Sequence, residues 1–187
     1  MQKNNIRYYL KLFALVALLF ASTAKPVQAL ELGLTPSHVY GLWLNINNVY
    51  IQLQKEKGIT DEKLKHLQKM EPNNFKGKEP SDVLERSRQI QESLITLFSL
   101  KAVKPTPDWV IHFQDIEGAN QQTSVTPSEV YILASWILNN MVEQYAETTH
   151  GAKPISSFYK EHSYTNMMPS DVFALVDLFS RRMKEYK

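Results

Sequence analysis

The sequence predicts an all-α fold: four main helices, each opening with Pro-Ser-x-Val, in a bundle with one short accessory helix and long linkers. Three observations predict it. The opening phrase occurs at Pro36-Ser37-His38-Val39, Pro80-Ser81-Asp82-Val83, Pro127-Ser128-Glu129-Val130 and Pro169-Ser170-Asp171-Val172, at separations of 44, 47 and 42 residues. That is the pattern of a duplicated helical unit with variable linkers. Behind each start, apolar residues recur in steps of three and four, the mark of one buried helical face. Strand candidates are few: over 109–116, Trp109, Ile111 and Phe113 alternate as in a strand, whereas Trp109, Phe113 and Ile116 also fit a helical turn.

The chain begins with Lys3, Arg7 and Lys11, an apolar run from Leu12 to Ala21, and a small-residue stretch ending Val27-Gln28-Ala29. This is the layout of a secretory signal peptide, 1–29, with cleavage near Ala29. The apolar run is well short of the roughly 20 residues of a spanning helix. Cleavage removes Lys3, Arg7, Lys11 and Lys25 and no acid, so the formal net charge passes from +2 to −2. The mature chain, 30–187, then lacks the dense basic stripe that nucleic-acid binding requires, and its length suits a single helical domain. The chain has no cysteine, so a secreted form is held by its core alone. A periplasmic or secreted location, soluble after cleavage, is expected.

The first helix is expected near 36–57. Thr35 suits the N-cap, Pro36 the position after it, and Gly58 the stop; Val39, Leu42, Trp43, Ile46, Val49, Tyr50 and Leu53 form its apolar face. A short helix near 61–70 follows, started by Thr60 and ended before Pro72. The second main helix, near 80–101, lines up Val83, Leu84, Ser87, Ile90, Leu94, Leu97 and Phe98 on its inner face and ends ahead of Pro105. The third, near 127–148, opens with a capping box of Thr126 and Glu129. Its wide apolar face, Val130 to Tyr145, predicts the most buried helix of the set. The linker before the fourth carries Phe158, Tyr159 and Tyr164 and is expected to lie against the bundle. The fourth helix, near 169–186, places Asp177 and Arg181 as an i,i+4 pair. Linkers of this length can return along a whole helix, so an up-down order does not follow.

Converging helix starts would make an anion site of free N–H groups, but Pro, Ser and an acid also belong in any first turn for local reasons. A second parallel joins units one and three. Trp43 precedes Asn47, and Trp136 precedes Asn140, each by four residues, so a Trp and an Asn share a face in each helix. Asn is a poor helix-interior residue. A ligand site is therefore expected at Trp43, Asn47, Tyr50, Trp136 and Asn140, with Tyr40 and Tyr131 extending the strip; an interhelical hydrogen bond is the plainer use of each Asn. The candidate metal cluster is His112, Asp115 and Glu117, although no histidine pair has the spacing that puts two ligands on one helical face. Without cysteine there is no thiol nucleophile, and no phosphate-cradling glycine loop or nucleophile elbow is present. No cofactor is implied. The expected function is a non-enzymatic helical module binding a protein partner or a small ligand, as an adaptor or sensory accessory. The alternative is a hydrolase or metal-dependent enzyme drawing on His112, Asp115, Glu117, His150 and His162.

Overall fold

The computed structural model describes residues 32–97, 125–149 and 158–185. Among them are five α-helices and no strand: α1 (Pro36–Glu56), α2 (Asp61–Lys69), α3 (Pro80–Leu97), α4 (Pro127–Thr149) and α5 (Pro169–Lys184). The stretch 109–116 lies outside the described residues.

All four motif helices begin at their proline for one local reason. The x residue of each motif, third in its helix, accepts the N–H of the residue ahead of the proline. Thr35 N donates to His38 Nδ1 at 3.0 Å, Glu79 N to Asp82 Oδ2 at 2.9 Å, Thr126 N to Glu129 Oε2 at 2.7 Å, and Met168 N to Asp171 Oδ2 at 2.8 Å. Only an acceptor is needed there, so His, Asp and Glu interchange. The valine that follows is buried in every unit. At the other end of α1, Gly58 takes a φ of +73°, the left-handed turn that glycine accepts without strain.

Helix α1 packs against α4 and α5, and α3 packs against the same two. The four therefore form a ring in the order α1, α5, α3, α4. Polar contacts fix their directions. Tyr50, late in α1, donates to the carbonyl of Arg182, late in α5, at 3.2 Å. Tyr145, late in α4, donates to Glu56 at the end of α1 at 3.3 Å. Arg86, early in α3, pairs with Asp177 in the middle of α5 at 3.2 Å. All four helices run the same way. Their starts meet at one end, where the prolines and valines of the four motifs surround an apolar dimple of about 10 Å³, room for no more than about one water.

Parallel neighbours require the chain to travel back between units, and in two described stretches it does so along the outside of another helix. Residues 71–78, which lead into α3, run antiparallel to α5. Arg181 Nη2 donates to Glu71 O at 2.7 Å, Asn73 Nδ2 to Asp177 at 3.4 Å, Phe75 packs edge-on to Phe173 at 4.9 Å, and Lys78 N donates to Ser170 Oγ at 3.0 Å. Residues 158–167, which lead into α5, run antiparallel to α1 in the same manner. Asn45 bonds both the N–H and the carbonyl of Lys160, Tyr164 packs edge-on to Tyr40 at 5.0 Å, and Met167 N donates to Ser37 Oγ at 3.2 Å. Gly41 allows this approach, since a Cβ there would stand 3.3 Å from that of His162.

These straps alter which helix is most buried. Helix α4 was expected to hold that place, but it is α5 that is buried almost all round, through Ala174, Leu175, Val176, Leu178, Phe179 and Ser180. A strap covers the outer face of α5, which periodicity alone assigns to solvent; α1 gains buried Gly41 and Asn45 in the same way. The core centre is aromatic. Trp43 and Tyr50 both meet Phe179 edge-on, at 5.8 and 5.2 Å, a preferred geometry for ring pairs.

Candidate functional site

Trp43, Asn47 and Tyr50 lie on one stripe of α1, facing α5. Trp43 is fully buried and its Nε1 has no hydrogen-bond partner. Asn47 Nδ2 donates to Trp43 O at 2.9 Å and to Leu175 O at 3.2 Å, and its Oδ1 accepts from Arg182 Nη1 at 2.8 Å. The buried Arg182 guanidinium also donates to Leu67 O at 3.0 Å and to Met70 O at 3.2 Å. It thereby joins α1, α5 and the end of α2. Sequence reading did not single out Arg182, because a basic residue at a helix end is ordinary.

Trp136 and Asn140 sit elsewhere. Relative to its motif proline, Trp136 comes two residues later than Trp43 does, so the two pairs are out of register. Both are half-buried at the edge of the core, and Asn140 Nδ2 donates to Trp136 O at 2.8 Å within its own helix. Tyr40 and Tyr131 are half-buried; burial first, and then the neighbouring hydroxyls of Tyr164 and Tyr159 respectively, push their phenols above the ordinary value. His112, Asp115, Glu117 and His150 lie outside the described residues. His162 lies on the strap along α1, its Nε2 3.2 Å from Asn45 Oδ1. Among the described residues, no group of three His, Cys, Asp or Glu side chains is placed to hold a metal ion.

An open groove of about 590 Å³ lies between α3 and α5. Phe75 and Phe173 form its apolar wall, and Ser81, Glu85 and Gln89 its α3 side. Two ion pairs cross or edge it, Lys78 with Asp82 and Arg86 with Asp177, both at 3.2 Å. A backbone hydrogen bond from Glu79, with Lys78 adding to it, holds the Asp82 carboxyl below its ordinary value. The groove can present a hydroxyl, a carboxylate and aromatic surface to an extended chain.

The two most exposed large apolar side chains among the described residues lie at the end where the helices start. Met168 and Leu32 are 63% and 57% exposed there. Helix starts so arranged enclose proline and valine around their axis, and three of the four bring a carboxylate to the first turn.

Among the described residues, no helix is long and apolar enough to cross a membrane. Compared with protein-family models, with curated proteins and with solved structures, the chain matches none.

Proposed function

We propose that the chain is a secreted or periplasmic, non-enzymatic four-helix bundle whose work is to bind a protein partner, as an adaptor or sensory accessory. One observation carries this reading. The bundle already holds two extended segments of its own chain against helix exteriors, and the groove between α3 and α5 offers the same kind of surface with no described segment lying along α3. Export is supported by the three-part layout of residues 1–29. The protein version is favoured over the small-ligand version because Trp43, Asn47 and Tyr50 are buried and Asn47 is committed to Arg182. Of the residues the enzyme alternative draws on, His162 is described, and its ring meets Asn45 Oδ1.

Native mass spectrometry of the mature protein, purified from its own compartment, tests the reading. A protein retained in fixed stoichiometry is the expected outcome. A small molecule retained in its place overturns the protein-binding version. The same spectrum gives the mass of the mature chain, expected to begin at Leu30.

A further inference from the structure

We propose that the groove between α3 and α5 binds an extended segment of the partner protein, aromatic and basic in character, running antiparallel to α3 and donating a backbone N–H to Ser81 Oγ. The inference rests on the protein-binding reading above. Its grounds are a rule that the fold follows three times. Ahead of α1, Leu32 N donates to Ser128 Oγ on α4; ahead of α3, Lys78 N donates to Ser170 Oγ on α5; ahead of α5, Met167 N donates to Ser37 Oγ on α1. In each case the motif serine receives a backbone N–H from the segment leading into the next helix, always in the same sense around the ring. Ser81 of α3 is the fourth such serine, and it is exposed.

Among the described residues the chain does not complete the rule itself. Val125, two residues ahead of Pro127 as Lys78 and Met167 are ahead of their prolines, is among the described residues, yet among these no hydrogen bond reaches Ser81. The sequence differs at the anchor as well. Phe75 and Tyr164 both stand five residues ahead of their proline and pack against the fifth residue of the receiving helix, Phe173 or Tyr40. The counterpart ahead of α4 is Gln122, which has no ring.

The preference for basic character follows from the charges that line the groove. Asp82 and Asp177 are neutralised by Lys78 and Arg86. Glu85 is exposed and, among the described residues, bonds only the amide of Gln89, at 3.0 Å. A Lys or Arg on the incoming segment would answer that carboxylate. The chain's own segment along α5, Asn73-Asn74-Phe75-Lys76-Gly77-Lys78, has this composition and supplies a ready probe.

The test uses the full mature chain and a fluorescent peptide with the sequence of residues 73–78, followed by anisotropy. The peptide is expected to bind; Phe75→Ala in the peptide weakens it about tenfold, the size of a well-packed aromatic anchor. Ser81→Arg in the protein, at an exposed position, abolishes binding with the helical circular dichroism unchanged, and Glu85→Lys weakens it. No binding, or binding indifferent to Ser81→Arg, overturns the proposal. Binding that appears only after residues 110–122 are excised assigns the groove to the chain's own segment and overturns it too. A native partner that stays bound to the Ser81→Arg protein removes the groove while leaving the protein-binding reading in place.

Discussion

Arg182 carries more of the polar interior than any other described side chain. The residue is 7% exposed, and its guanidinium is satisfied by two carbonyls at the end of α2 and by Asn47 Oδ1. The negative end of the α2 dipole takes the place of a carboxylate partner. Burial, with Arg181 beside it, lowers its pKa below the usual arginine range, yet an arginine stays protonated at working pH. Arg182→Met keeps the volume but leaves Asn47 and both carbonyls without a donor. It is expected to cost about 3 kcal/mol, read as a lower urea midpoint, with hydrogen exchange rising first over 61–70. Asp82 gives a pH signature. Its folded carboxyl titrates below the ordinary 3.8 because the Glu79 N–H and Lys78 favour the charged form. The stability it adds is present above that ordinary value and is lost as pH falls through the lower, folded one. Asp82→Asn, whose amide oxygen can still accept from Glu79 N, is expected to flatten the acid limb of the stability profile. An unchanged limb would refute the assignment. Arg182 could not be read from sequence as special: Arg181 and Arg182 look alike, and only the strap along α5 turns one toward Glu71 and the other inward.

Helix starts were legible in the sequence because they are local chemistry; of the straps, only the docking of the aromatic linker before α5 was expected, and neither its path along α1 nor the strap along α5 was. An acceptor three residues after the cap, a proline and a buried valine each follow from backbone needs within one turn. Where residues 71–78 and 158–167 lie depends on partners about a hundred positions away, and the only trace is an aromatic five residues ahead of Pro80 and Pro169. Two element-scale predictions follow from these causes. Met168 stands at an N-cap where a hydroxyl or short carboxyl side chain would serve the free N–H groups, and it is 63% exposed. Met168→Ser is expected to stabilise α5 by about 1 kcal/mol, raising Tm by about 2–4 °C. Gly41 is the converse case. Its missing Cβ lets the strap approach α1, so Gly41→Leu gains helix propensity but displaces His162 and breaks the Asn45 pairing with Lys160. The expected net loss is about 1–3 kcal/mol, with protease cleavage appearing over 158–167. Cleavage unchanged from wild type would show that the strap is held without this contact.

At the scale of the molecule, the repeat explains the order of the ring. Units equal in design and running in one direction place all four helix starts, and so all four positive dipole ends, side by side, an arrangement that repels. Asp82, Glu129 and Asp171 in three first turns offset this, and the ring of proline and valine at the axis supplies apolar contact at the same end. Sequence could establish the fourfold motif and the helix starts it marks. It could not establish direction, because helical periodicity is the same read up or down, and only the long linkers hinted that alternation was unnecessary. The Trp and Asn faces illustrate the same limit: periodicity marked Trp43 and Asn47 as sharing a face, but the strap and Arg182 decide that the face is interior. Parallel order can be measured directly. The chain has no native cysteine, so spin labels can be placed at chosen pairs without background. Leu32 with Met168 and Glu56 with Lys184 should both give short distances, since neighbouring axes lie about 8–10 Å apart. Leu32 with Lys184 should be longer by the length of α5, about 24 Å at 1.5 Å per residue. If the cross pair proves short and the two like pairs long, α1 and α5 are antiparallel. The strap rule and the groove proposed for a partner would then both fall, because each depends on the chain returning to the same end before every helix.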